Sequence, residues 1–200
     1  MSEPGAEERL ARLRNRQGPG ARYDSPGAPA RDLLWVRRGT AYFARKLNEL
    51  SDNALDAPSS IPRWSRRHVI AYIGYHARSF ARLAEATRNG ARREVLVEPE
   101  HPIEDVAFGA TLPAHALRYL FRHSEAHLNV AWRDLTQVEW QASVWTLNRE
   151  LVPMFRTPWL RAREIWLSAI DLDNGGSLLD LPLELRQEIP PGTPTVRTEA

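Results

Sequence analysis

The chain has 200 residues, 42% of them hydrophobic, a formal net charge of +2 and no cysteine. That size suits one domain with tails and a sizeable core, and the missing cysteines exclude disulfides, thiolate ligands and a cysteine nucleophile, so any thiol chemistry needs a small-molecule thiol. No apolar run is long enough to span a membrane, no apolar stretch near Met1 reads as a secretory signal, and the arginines alternate with acids instead of forming a basic stripe; the expectation is a cytoplasmic protein that binds neither membrane nor nucleic acid.

Residues 1–27 carry Pro, Gly, Arg and Glu with little that can pack, and read as a mobile N-terminal tail. Residues 28–189 read as the domain, and residues 190–200 as a disordered C-terminal tail. The first helix is predicted over 31–50, where Leu33, Val36, Thr40, Phe43, Leu47 and Leu50 keep one face. A connector rich in Ser, Asp and Pro then turns the chain. The second helix is predicted from Ser65 to Arg88, with Val69, Ile73, His76, Phe80 and Leu83 as its apolar stripe and Asn89-Gly90 as its stop. Residues 90–111 read as a long loop holding one short helix near 103–108. The third helix follows Pro113 and runs to Leu135, with Leu117, Leu120, Ser124, Leu128 and Ala131 facing inward. Residues 140–155 suggest a short β-hairpin. The fourth helix covers 157–172, with Thr157 as its cap, Pro158 in the first turn and Asn174-Gly175-Gly176 beyond its end; a last helical piece is expected at 181–188. Four long amphipathic segments and no strand-rich region predict an all-α four-helix bundle with a hairpin insertion.

Three groups of residues on these helices could carry chemistry. His68, Tyr72 and His76 form a line on the second helix, but two histidines two turns, or about 12 Å, apart cannot easily grip one ion. His123 and His127 are an i, i+4 pair, a spacing that can hold zinc when a third ligand is near, and no acid at ligand spacing accompanies them. Glu164, Ser168 and Asp171 fall on the face that also carries Leu160 and Leu167. A carboxylate on such a face is costly unless paired or bound to metal. Arg161 and Arg163 stand beside Glu164, so the alternatives are a salt-bridged helix and a site wall that offers guanidinium forks to an anionic substrate.

Three strings taken together, PRWSRRHVIAYIGYHARSFARLAE, FGATLPAHAL and TPWLRAREIWLSAIDL, resemble the metal-binding domain of thiol-dependent maleylpyruvate isomerases, part of the wider DinB-like four-helix group. The resemblance spans residues 30–185. Trp64, Ser65, Arg66, His68, Val69 and Ala71 match the family pattern on the second helix, and Pro158, Trp159, Arg161, Arg163 and Glu164 match it on the fourth. The resemblance implies a divalent, zinc-like metal held by a histidine, an acid and a second histidine. Glu164 keeps the acid, but Tyr72 and Ser168 stand at the two histidine positions, so the implied set is degenerate. His68, His76, His123 and His127 are the possible substitutes. The resemblance further implies a thiol co-substrate, mycothiol or glutathione, that adds reversibly to maleylpyruvate and lets it isomerise to fumarylpyruvate on a gentisate-type route of aromatic degradation. Arg161 and Arg163 would then serve a small anionic substrate in a monomer or homodimer. The alternatives are a repurposed bundle without catalysis and another thiol-dependent transferase of the same fold.

Overall fold

Four helices carry the domain: α1 (Ala30–Asn48), α2 (Arg66–Arg88), α4 (Ala114–Arg133) and α6 (Thr157–Asp171), with the short α3 (Ile103–Ala110), α5 (Gln137–Trp140) and α7 (Leu183–Glu188) between and after them. The computed structural model describes residues 24–90, 103–145 and 151–189. Most of the two predicted tails, residues 91–102 of the long loop and residues 146–150 of the hairpin therefore lie outside the described residues. Of the segment read as an N-terminal tail, Asp24 holds Arg37 through two hydrogen bonds, at 2.7 and 2.8 Å.

The first three long helices bury the stripes their spacing predicts. Leu33, Val36, Phe43 and Leu47 go inside from α1; Val69, Ile73, His76, Phe80 and Leu83 from α2; Leu117, Leu120, Ser124 and Leu128 from α4. The backbones approach closely along α1/α6, α2/α6 and α2/α4, and α3 lies on α2. Gly109 permits that last contact, since a Cβ there would come within 2.7 Å of the Tyr75 ring. The remaining seam, α1 against α4, is joined by side chains, among them the tilted pair Phe43–Phe121 with centroids 4.8 Å apart.

Two arginines hold helix ends to their neighbours. A helix C-terminus leaves unsatisfied carbonyls and partial negative charge, and a guanidinium fork answers both. Arg66, in the first turn of α2, donates to Leu172 O and Asp173 O beyond α6, each at 2.6 Å. Arg118, on α4, donates to Leu47 O at 2.9 Å and Leu50 O at 2.7 Å at the end of α1. Gly90 and Gly175 both take positive φ, 71° and 83°, where the chain leaves α2 and α6.

The hairpin is present as β1 (Ser143–Trp145) and β2 (Leu151–Pro153), antiparallel with Val144 opposite Val152. The four-residue α5 just before it was not foreseen; a Thr136/Glu139 capping box closes it. Two details of α6 depart from the sequence reading. Thr157 is not the cap: it lies inside the helix, fully buried, and donates its hydroxyl to Met154 O at 2.8 Å. The inward face is also rotated. Arg161, Ile165, Ser168 and Leu172 are buried, whereas Leu160 and Leu167 are only partly so. Aromatic and aliphatic residues occur almost all round this helix, so hydrophobic spacing did not fix its phase.

Candidate functional site

The candidate site is built where α2, α4 and α6 meet. A ladder of rings runs along α2: Trp64 to Tyr72 at 5.8 Å, Tyr72 to His76 at 5.7 Å, His76 to Phe80 at 5.0 Å and edge-on, then Phe80 to Trp132 of α4 at 6.2 Å. The predicted line of His68, Tyr72 and His76 is thus a continuous face, and its two histidines have different jobs.

His68 works at the helix start. Its Nδ1 accepts the Ser65 backbone N–H at 3.2 Å and lies 2.8 Å from the Ser65 hydroxyl, completing a capping box in which histidine stands where Glu or Gln is usual. Burial holds its imidazole below the ordinary histidine range, which keeps the ring neutral and able to accept.

His76 is buried and faces α6. Arg161 Nη1 donates to its Nδ1 at 2.7 Å. A guanidinium has donors only, so Nδ1 must accept and the neutral ring carries its proton on Nε2. In that tautomer neither nitrogen offers a free lone pair to a metal.

Arg161 itself is wholly buried. Beyond His76, its Nη2 donates to Ile73 O at 3.0 Å and forms an ion pair with Glu125 of α4. The buried arginine partner is therefore Glu125, a residue the sequence reading passed over. The signal was available: Glu125 sits four residues after Phe121 and three before Leu128, on the buried stripe of α4.

Glu164 and Ser168 are both buried on α6, one turn apart, and Tyr72 is half-buried on the neighbouring α2. Ser168 donates its hydroxyl to Glu164 O at 2.8 Å, a bond back along its own helix. Arg163 is half-buried. Asp171 is accounted for outside this group: it accepts the Ser60 hydroxyl at 2.8 Å and its carbonyl accepts the Ser60 N–H at 3.0 Å, tying the connector to the end of α6.

His123 and His127 lie elsewhere. His123 is exposed and stacked on Tyr119 at 5.5 Å; His127 pairs with Glu85 of α2 at 2.6 Å. Among the described residues no group of three or more His, Asp or Glu is placed to hold a metal ion. A phenol, a carboxylate and a hydroxyl do not fit a zinc-like ion, whose sites are built from imidazole, carboxylate and thiolate. The four histidines named as substitutes are engaged as cap, guanidinium acceptor, ring stack and ion pair.

Fold and site together define a DinB-like helical bundle with a polar seam between α2 and α6. Residues 36–173 match the family described as the mycothiol maleylpyruvate isomerase N-terminal domain, and the chain belongs to that family. Two solved structures are similar to it at 33% identity: the mycothiol-dependent maleylpyruvate isomerase, with a TM-score of 0.75, and a histidine-to-alanine mutant of it, with a TM-score of 0.74. Each alignment covers 80% of this chain and 66% of that one, so the chain spans about two-thirds of the length of those proteins. No protein of curated function matches. Among the described residues no helix is long and apolar enough to cross a membrane.

Proposed function

We propose that this protein catalyses a thiol-dependent cis–trans isomerisation of maleylpyruvate, with mycothiol as the thiol. The family match over residues 36–173 carries the reading. The chain's lack of cysteine agrees with it, because the nucleophile then has to arrive as a small molecule.

The chemistry balances without any other reactant. The thiolate adds to one carbon of the C=C bond, forming a C–S bond and moving the π electrons onto the conjugated carbonyl as an enolate. The former double bond is now single and rotates. Collapse of the enolate restores C=C in the trans geometry and expels the thiolate, so the thiol is regenerated. No step is routed through a metal, since the donors at Tyr72, Glu164 and Ser168 do not fit one.

The chain's own residues then divide the work. Glu164, the buried carboxylate of α6, accepts the thiol proton. Arg163 is the guanidinium of α6 that keeps some surface, and is assigned the carboxylates of the small anionic substrate. Arg161 is a positioning residue: buried on all sides, it fixes the His76 ring, and His76 in turn packs on Tyr72.

The test is turnover of maleylpyruvate by the purified protein with mycothiol, with glutathione and with no thiol. Formation of the trans product that requires mycothiol supports the proposal; no turnover with either thiol rejects it in favour of a bundle that binds without catalysis. Glu164→Gln should lower kcat by about 100-fold or more, the lower bound for a lost general base, with the fold retained. Unchanged turnover with a large fall in melting temperature would make Glu164 structural.

A further inference from the structure

The last described stretch of the chain, residues 178–189, lies as a strap over α1 and α6. Three contacts fix its course. The Tyr42 hydroxyl donates to Asp180 at 2.6 Å, while Glu188 pairs with Arg31 at 3.3 Å and accepts the Trp159 indole N–H at 2.5 Å. The strap therefore runs antiparallel to α1. Arg38 falls two turns after Arg31 and one turn before Tyr42, which sets it level with Leu183 and Glu184 of the strap.

Leucines on the strap face two ways. Leu181 and Leu185 are buried and dock it to the bundle. Leu179 and Leu183 repeat the same spacing outward, 79% and 54% exposed, with Leu178 exposed beside them and Leu34 of α1 exposed one turn from Arg31. The outward leucines do nothing to hold the strap, and apolar side chains gathered on one exposed face mark a surface that meets another. Charge says which surface. The outer row of α1 is Leu34, Arg38, Ala41 and Arg45, at i, i+4, i+7, i+11 spacing and all exposed, so it is apolar and basic. The outer row of the strap is Leu179, Asp180, Leu183 and Glu184, also all exposed, so it is apolar and acidic. A nucleic acid or an anionic membrane would meet the acidic row, and a basic partner would meet the arginines. A face that carries both rows side by side is complemented by its own copy. A twofold axis running between the rows sets α1 of each copy on the strap of the other, unlike charges together.

We propose that the face formed by α1 and the strap is a homodimer interface, in which Leu34, Leu179 and Leu183 make the apolar contact and Arg38 of each copy pairs with Glu184 of the other. The proposal is independent of the isomerase reading.

The test is sedimentation equilibrium of the full-length protein over a range of concentrations. A reversible monomer–dimer equilibrium is expected. Leu183→Asp places a charge in the apolar contact and should leave only monomer, with the melting temperature of the wild-type monomer retained because the side chain is already exposed; Leu179→Asp serves if that variant does not fold. Arg38→Glu and Glu184→Arg each set like charges against each other across the axis and should raise the dissociation constant about tenfold or more. An equimolar mixture of these two variants should dimerise about as tightly as wild type, because every cross-copy contact in the mixed dimer again joins unlike charges. Repulsion confined to one copy would not be relieved by mixing. Monomer at every concentration, a dimer that survives both leucine variants, single charge variants that dimerise as wild type does, or a mixture no tighter than its components would each overturn the proposal.

Discussion

The α1/α6 seam and the junction of α2, α4 and α6 are packed in opposite ways. Where α1 meets α6, Gly39 lets the helices approach until a Cβ would lie 2.7 Å from Ile165 and 2.8 Å from the Trp166 ring. Trp166 stacks on Tyr42 at 4.9 Å and donates its indole N–H to Trp35 O at 3.0 Å, and the Tyr42 hydroxyl donates to Asp180 at 2.6 Å, so both polar groups are satisfied. Where α2, α4 and α6 meet, the bundle instead buries a guanidinium, a carboxylate and an imidazole. Apolar packing would be as stable or more so, because the desolvation of two charges offsets most of their attraction. The first seam is what a bundle needs in order to fold. The second costs stability and sets the tautomer of His76, whose ring packs on Tyr72. On the proposed function, the polar seam on the α2 side of α6 carries the activity and the α1 side is scaffold.

The contrast breaks most visibly at Arg161. Arg161→Met leaves Glu125 buried without its cation and should destabilise the protein by about 3–5 kcal/mol, the cost of an orphaned buried charge. Adding Glu125→Leu removes the orphan and should recover most of that loss. Urea denaturation of wild type, single and double variants decides it. A double variant as weak as the single one would mean that the pair supplies packing and not merely compensated charge.

Gly39→Ala tests the other seam. A methyl group there must displace buried Ile165 and Trp166, an overpacking cost of about 1–3 kcal/mol. Alanine is the better helix former by up to about 1 kcal/mol, so the net loss should fall in the lower part of that range. Because this seam is scaffold, kcat with maleylpyruvate should stay within twofold of wild type while the melting temperature falls. A stable variant with reduced turnover would reverse the division of labour between the seams.

The metal question sharpens the same division. Protein purified without chelator should hold well under one equivalent of zinc by elemental analysis, given a phenol and a hydroxyl where the resemblance implies two histidines. Near one equivalent, lost in Glu164→Gln, would show that Tyr72 and Ser168 do ligate or that a histidine moves to reach the ion.

How much of this was legible depended on how local the signal was. The long helices followed from spacing, and the ends of α2 from Ser65 and the Asn89-Gly90 stop, because cap and stop are written within a few residues of the end they mark. The Tyr72 and Ser168 positions came from resemblance alone. The ion pair was hidden because Arg161 and Glu125 are 36 residues apart on different helices, and nothing in an arginine-rich chain marks which arginine is inside. The role of Arg66 was equally silent. It was visible only as a matched letter, and its fork on Leu172 O and Asp173 O appears once α2 and α6 are set side by side. Interactions within one turn can be read from the chain; those made by docking two helices await the fold.

The smallest effect concerns His68, a histidine on the ring-bearing face of α2 that caps the helix. Its neutral ring accepts from Ser65, and burial holds its pKa below the ordinary value. As pH falls, the unfolded chain takes up the proton first, at about 6.5. The contribution of His68 is therefore fully present above that value and is lost as the pH falls through the lower value of the folded state. His68→Gln keeps a capping acceptor that does not titrate. At pH 7.5 the two proteins should match within about 0.5 kcal/mol, well inside the range of a lost cap. At pH 5 the wild type should have lost more of its stability than the variant, read as the shift in urea midpoint between the two pH values. Equal shifts in both proteins would show that the cap does not depend on a neutral imidazole, and would return His68 to the list of residues whose place on the α2 face calls for a functional explanation.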